Sequence, residues 1–252
     1  MDSVSKSNNE VKQLGLFSII LLHLVPGLVA VLVFIFSAPY MIQSGLPAVF
    51  ALFLGLLVSF ILIFVFLLYQ GYQKSGKISL SGIILNREKV KTTQFFLFIP
   101  ILIVSSLIIG GILAPLNDMI MNKFFSWLPE WFWWTKQFLD LESLSTPVLI
   151  ALFIIVFIGN AIIGPVVEEV YFRGYLLPRM KRYGRWAPLL NVFLFSIYHF
   201  FSPEQNITRV FILTPVIYTV WWKKNIYFSI LTHCTINVVP SILVLSVLLG
   251  RI

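Results

Sequence analysis

Long apolar runs divide this chain into segments of about the length that crosses a lipid bilayer. Apolar side chains make up 59% of its 252 residues, and only 11% of the residues are charged. A run of about 20 apolar residues spans the hydrocarbon core as an α-helix, which satisfies its own backbone hydrogen bonds where water is absent. The sequence therefore predicts an all-α, polytopic integral membrane protein, built as a bundle of about seven transmembrane helices.

Seven runs define these spans, and the fifth and sixth are short enough to form a buried or partly re-entrant pair instead. The runs cover residues 14–40, 47–69, 95–114, 147–178, 188–201, 209–222 and 227–249. Three parts follow from this division. Residues 1–13 form an N-terminal tail, residues 14–146 a membrane scaffold with a Trp-rich loop at the outer interface, and residues 147–252 a membrane-embedded core.

Basic residues are concentrated on one side of the predicted membrane. Of the 18 Lys and Arg residues, 13 fall in the segments that share a side with the N-terminus, four fall on the other side, and Arg173 lies within a span. Because cytoplasmic loops carry the excess of Lys and Arg, we expect a cytoplasmic N-terminus in a multi-pass protein of a bacterial cell membrane. This pattern accounts for the net charge of +8 without a nucleic-acid partner.

Two adjacent carboxylates, Glu168 and Glu169, lie inside the fourth apolar run, whereas the other eight acids fall in tails or loops. An ionisable residue at this depth is costly and indicates a functional site. Consecutive helix positions differ by about 100°, so the two carboxylates face different surroundings. Glu169 and Arg173 are spaced to pair along the helix, which leaves Glu168 free. Pro165, just before them, predicts a kink.

Three polar side chains on different spans lie at one predicted depth. Glu168, His199 and His233 are each about 14 to 17 Å from the cytoplasmic end of their helices, at about 1.5 Å per residue. Asn237 lies one turn beyond His233 on the same face. We therefore expect a carboxylate, two imidazoles and a carboxamide to converge near the middle of the bilayer.

This set suits hydrolysis. A buried glutamate can take a proton from water, a histidine can hold that water, and His or Asn donors can stabilise an oxyanion. No Gly-x-Ser-x-Gly or His-Glu-x-x-His motif is present, and Cys234 points about 100° away from its neighbour His233, so a nucleophilic serine or cysteine enzyme is disfavoured. The alternative is that each histidine merely satisfies a polar group between helices.

Three motifs occur in order on successive membrane helices. They are EExxxR from Glu168 to Arg173, FxxxH from Phe195 to His199, and HxxxN from His233 to Asn237. Each motif alone is weak, but the ordered triple resembles the CAAX prenyl protease and bacteriocin-processing family, also called the abortive infection family, of intramembrane proteases. The resemblance covers about residues 147–240.

The resemblance implies catalytic roles for four residues. Glu168 and His199 would activate the attacking water, and His233 and Asn237 would form the oxyanion site. The chain would then be an endopeptidase acting on a membrane-associated peptide or protein, with lipidated or leader-bearing peptides among the candidates. Its partners would be this substrate and the lipid bilayer.

The resemblance also implies a supporting role for Glu169 and Arg173, and it makes residues 147–252 the catalytic core. No cofactor is favoured. Glu168, His199 and His233 have the donor types of a zinc site. One carboxylate does not readily serve both as zinc ligand and as general base, so we expect no metal.

Two other functions remain as alternatives. The first is a non-proteolytic membrane scaffold or a bacteriocin-immunity protein of the same fold. The second is a proton-coupled transporter, for which buried Glu and His residues suit a proton relay. The uneven spans show no inverted repeat, which disfavours the transporter.

Overall fold

The computed structural model describes residues 11–133, 136, 138 and 140–251. Most of the predicted tail therefore lies outside the described residues, as does Trp134 of the Trp-rich loop. Within these ranges the chain is helical and has no β-strand, apart from one isolated bridge between Arg87 and Asn225. The predicted all-α, polytopic architecture is confirmed.

Nine α-helices follow one another along the described chain. They are α1 (Leu16–Gln43), α2 (Val49–Ser75), α3 (Thr92–Phe124), α4 (Thr146–Ile154), α5 (Gly164–Glu168), α6 (Ala187–Tyr198), α7 (Asn206–Lys223), α8 (Tyr227–Ile236) and α9 (Val239–Leu249). Two π-helices flank α5, namely Ile155–Ile163 and Glu169–Leu176, and a 3₁₀-helix, Leu177–Trp186, precedes α6.

Among the described residues, five helical segments are long and apolar enough to cross a membrane: α1, α2, α3, the segment 146–198, and the α8 and α9 pair. The predicted fifth span is α6, which the segment 146–198 includes after a break at Gly184, where φ is 54°. The predicted sixth span is α7, which is only 18 residues long and is not among the five. The two spans predicted to be short are therefore the two that the structure does not show as separate membrane-crossing helices.

Helix α3 is longer than its predicted span, because it continues ten residues past residue 114 to Phe124. Pro115 lies inside it and does not end it, which membrane helices tolerate when freed backbone groups find other partners. The outer loop therefore starts later than predicted. Pro165 occupies the first turn of α5, and the irregularity predicted there takes the form of the two flanking π-helices. Such π-helical turns are frequent at functional sites.

Helix α1 is tied to the core by a buried histidine. His23 is fully buried, with Nδ1 2.8 Å from the Ile19 carbonyl oxygen and Nε2 3.0 Å from Asn191 Nδ2. The carbonyl can only accept, so Nδ1 carries the proton and Nε2 accepts from Asn191. Asn191 Nδ2 also donates to the Phe172 carbonyl at 3.0 Å. This bridge fixes α1, the second π-helix and α6 relative to one another.

A glycine lets α1 approach the end of α6. A Cβ added at Gly27 would lie 1.9 Å from the backbone carbonyl oxygen of Tyr198. Because that obstacle is backbone, a rotamer change cannot relieve the clash. Gly27 therefore sets how closely α1 packs against the residue that precedes His199.

We predict that Gly27→Ala destabilises the protein by about 3 kcal/mol or more, because α1 must move away from Tyr198. The matched control is Gly111→Ala in α3, where an added Cβ meets nothing within 4 Å. The control should leave the Tm in detergent unchanged or slightly higher, since Ala favours helix over Gly. Equal Tm values for the two variants would contradict this packing.

Candidate active site

One cavity of about 450 Å³ contains the four predicted catalytic residues in its wall. Glu168, His199, His233 and Asn237 come from α5, the end of α6, α8 and the end of α8, respectively. Much of the remaining wall is apolar or glycine, from α2, α3, α7 and the first π-helix. The structure thus brings the four residues to a single space, as their common depth predicted.

His233 lies between the two adjacent glutamates. Its Nε2 is 4.0 Å from Oε2 of Glu168, and its Nδ1 is 3.0 Å from Oε1 of Glu169. Glu168 is 5% exposed and Glu169 is fully buried. The two glutamates do face different surroundings, but one imidazole contacts both, through opposite ring nitrogens. The sequence did not predict the contact with Glu169.

The predicted pairing of Glu169 with Arg173 is confirmed. Arg173 Nη1 donates to Glu169 Oε1 at 3.1 Å, and both side chains are fully buried. An ionised Glu169 has no proton to give, so the Nδ1 of His233 must be the donor in their hydrogen bond. The Nε2 of a neutral His233 then presents a lone pair towards Glu168. His233 can donate from Nε2 only when it is protonated to imidazolium.

The tautomer of His199 follows from its contact with the backbone. Its Nδ1 lies 2.9 Å from the Phe195 carbonyl oxygen, which can only accept. Nδ1 therefore carries the proton, and the lone pair on Nε2 remains free to accept a hydrogen bond. The ring packs edge-on against Phe195 and Tyr198, with centroids 4.7 and 4.8 Å away. These contacts hold the imidazole in one orientation.

Asn237 is held by a residue that the sequence analysis missed. Its Nδ2 donates to the Asn160 backbone carbonyl at 3.0 Å, and Asn160 Nδ2 donates to the Asn237 carbonyl at 3.3 Å. Asn160 lies in the first π-helix, where it interrupts an apolar run. A polar residue within an apolar run was the sequence signal that could have identified Asn160. A carboxamide has two N–H donors, so the second N–H of Asn237 is available to the cavity.

Two further residues were missed beside Glu168. The hydroxyls of Ser59 and Tyr198 are buried without a hydrogen-bond partner in the described structure, and the Tyr198 hydroxyl neighbours both Ser59 and the Glu168 carboxylate. Arg209, which the sequence analysis counted with the outer segments, also lines the cavity. No local pattern distinguished these residues, because each reaches the site from a separate helix.

Each of the two histidines has one ring nitrogen left for a bound group. Nδ1 of His199 and Nδ1 of His233 are engaged by Phe195 and Glu169, so only the two Nε2 atoms remain available. Metal-ligating histidines commonly have their second nitrogen engaged in this way. Among the side chains that the structure describes, no group of three His, Cys, Asp or Glu is placed to hold a metal ion. The absence of zinc from Glu168, His199 and His233 stays a prediction.

We predict that changing each of the two glutamates to Gln affects the free energy of unfolding by very different amounts. Glu169→Gln leaves the buried Arg173 without a charged partner and should lower the free energy of unfolding by about 3 kcal/mol. Glu168→Gln should change it by less than about 1 kcal/mol, because Glu168 has no ion pair shorter than 4.0 Å. Thermal unfolding in detergent measures both.

A second substitution checks this interpretation. Combining Glu169→Gln with Arg173→Met removes the uncompensated charge and should recover part of the lost stability. If the double variant is no more stable than Glu169→Gln alone, the cost does not come from the charge of Arg173.

Comparison with known proteins bears on the same part of the chain. Residues 150–239 match the family described as type II CAAX prenyl endopeptidase Rce1-like. No curated protein and no solved structure matched the chain. The matched range contains all three motifs and all four predicted catalytic residues. Residues 150–239 of this integral membrane protein thus match the family of proteases that the three motifs resemble.

Proposed function

We propose that this protein is an intramembrane endopeptidase in which Glu168 activates water to hydrolyse a peptide bond of a membrane-associated peptide or protein. The observation that carries the proposal is a buried carboxylate sharing one cavity with two histidines, each with its Nδ1 proton engaged elsewhere. The match of residues 150–239 to a protease family supports the same reaction class.

The attacking water is held by two acceptors. It donates one hydrogen bond to Nε2 of His199 and loses its other proton to Glu168 as its oxygen attacks the substrate carbonyl. Glu168, now protonated, then gives that proton to the amine leaving group, so the carboxylate is regenerated when the C–N bond breaks. No metal is required in this scheme, and none of the steps needs a covalent enzyme intermediate.

The oxyanion of the tetrahedral intermediate is stabilised by Asn237 and His233. The free N–H of Asn237 donates to it, and His233 donates from Nε2 when protonated. Glu169 accepts from Nδ1 of His233 and thereby fixes the orientation of the ring and of Nε2. This arrangement gives the second glutamate of the motif a defined part: it orients the imidazole without touching the substrate.

The proposed orientation places the N-terminus in the cytoplasm, following the distribution of Lys and Arg, and the proposed location is a bacterial cell membrane. The substrate enters from the cytoplasmic half of the membrane. A panel of prenylated, acylated and leader-bearing peptides tests which further features of the substrate the protein recognises.

We predict that Glu168→Gln abolishes cleavage, because Gln keeps the shape of Glu but accepts no proton. His199→Ala should do the same. The control is Glu142→Gln, an exposed acid that does not line the cavity. Purified proteins in detergent are compared on the peptide panel by mass spectrometry, with and without a metal chelator. Cleavage by wild type and by the control should persist in chelator.

Three outcomes would contradict the proposal. Cleavage by Glu168→Gln at the wild-type rate would exclude the glutamate as base. Loss of wild-type cleavage in chelator would indicate a metalloenzyme. A cellular phenotype that survives Glu168→Gln, with no cleavage of any peptide by wild type, would favour the non-proteolytic scaffold or immunity protein.

We further predict that Asn160→Ala lowers kcat by about 10- to 100-fold with little change in KM, since it removes the hydrogen bond that fixes the Asn237 backbone and lets the oxyanion-binding carboxamide shift. Asn237→Ala should lower kcat at least as much. The two residues act as one unit, so the double variant should be no slower than Asn237→Ala alone. Additive losses would show that Asn160 acts independently of Asn237.

A further inference from the structure

Arg209 places a positive charge in the wall of the cavity and donates its hydrogen bonds to neutral groups. Its Nη1 donates to the Ser196 carbonyl at 3.3 Å and to Asn206 Oδ1 at 2.9 Å. Its Nη2 donates to Ser202 Oγ at 2.8 Å and to Gln205 Oε1 at 3.4 Å. Two of these four bonds are long, so a better acceptor can replace them.

No carboxylate in the described part of the chain lies within 4.0 Å of the Arg209 guanidinium. The nearest candidate along the chain, Glu204, acts on it only from a greater distance. Glu204 lies in the turn between α6 and α7, and burial raises the pKa of its carboxyl above the usual range, which favours its neutral form. Glu168 also acts on Arg209 from beyond 4.0 Å. Among the described residues Arg209 therefore has no close carboxylate partner in this mostly apolar wall, where a nearby anion would stabilise its charge.

Arg209 is also close to the proposed catalytic residues. It contacts the Ser196 carbonyl, and His199 contacts the adjacent Phe195 carbonyl. With consecutive residues about 3.8 Å apart, the guanidinium lies within about 10 Å of the His199 ring, which a few extended residues of a peptide can span. One peptide segment can thus contact both residues.

We infer that Arg209 binds a carboxylate of the peptide substrate, at the end of the cavity closed by the turn between α6 and α7. The inference rests on the proposed peptidase function and specifies the substrate further. Guanidinium groups recognise carboxylates through charge-assisted hydrogen bonds of matching geometry. The carboxylate is either the C-terminus of the substrate or an acidic side chain within a few residues of the scissile bond.

The competing explanation is purely structural. The same contacts tie the last carbonyls of α6 to the following turn, where a cation also stabilises the helix C-terminus. In that case, Arg209 would matter equally for every substrate. Its charge would matter only through the fold.

The test uses four versions of one cleaved peptide: with a free C-terminal carboxylate or a carboxamide, and with or without an acidic residue near the scissile bond. Wild type should cleave the recognised carboxylate peptide about 10- to 100-fold faster in kcat/KM than its neutral counterpart. Arg209→Gln should remove this preference by slowing only the carboxylate peptide, and Arg209→Lys should retain part of it. If the C-terminal carboxamide abolishes the preference, Arg209 binds the C-terminus. If removal of the acidic residue abolishes it, Arg209 binds that side chain.

The matched control is Arg251→Gln, because Arg251 also donates only to neutral carbonyl groups but lies outside the cavity. It should leave the preference unchanged. Equal cleavage of all four peptides by wild type would overturn the inference. An equal slowing of all four peptides by Arg209→Gln would also overturn it and would support the structural explanation.

A binding measurement separates failure of this inference from failure of the proposed function. The same four peptides are added to Glu168→Gln protein in detergent, and the shift in Tm is measured with and without Arg209→Gln. A larger shift for the carboxylate peptide that depends on Arg209 supports the inference even if wild type cleaves none of them. Equal shifts for all peptides would refute it even if cleavage occurs.

Discussion

The buried ion pair between Glu169 and Arg173 is the interaction on which the site depends. Both side chains are fully buried, and removing two charges from water is costly unless further contacts compensate. Two contacts do so here. His233 donates to the same carboxylate oxygen of Glu169, and the Arg173 guanidinium lies over the Phe195 ring at 4.0 Å. The pair therefore links the second π-helix to α6 and α8, the helices that carry the two histidines.

In the proposed mechanism, this arrangement gives Glu169 a structural role and Glu168 a chemical one. Glu169 has its charge committed to Arg173 and its hydrogen bonding to His233, so it fixes an orientation and a tautomer. Glu168, one residue earlier, faces the cavity and keeps its carboxylate free of a close ion pair. Because the helix turns about 100° between them, adjacent positions can reach these different environments.

The first three helices contribute more than support. Helix α1 approaches α6 at Gly27 and bonds to it through His23, while α2 and α3 supply part of the cavity wall, including Phe60 and Gly110. The family match covers only residues 150–239. The reactive groups thus come from the matched region, whereas the shape of the space around them also depends on helices that the match does not include.

The sequence by itself determined the features that depend on local order along the chain. Apolar run length gave the helical membrane architecture, and the spacing of Glu169 and Arg173 gave their pairing, because residues four apart lie side by side on a helix. The common depth of the proposed catalytic residues could also be calculated from the sequence, since the rise per residue in a helix is constant. The sequence placed Glu168 and His233 in one site for that reason.

Only the tertiary structure decided which groups meet across helices. Asn160 and Asn237 are 77 residues apart, and Arg209, which the charge count placed at the outer end of the sixth span, lines the cavity. The proton positions on His199 and His233 depend on acceptors whose orientation no periodic pattern specifies. Length alone also left the short α6 and α7 unresolved. Such features follow from how helices rotate and pack against one another, and hydrophobic periodicity does not encode that rotation when nearly every helix face is apolar.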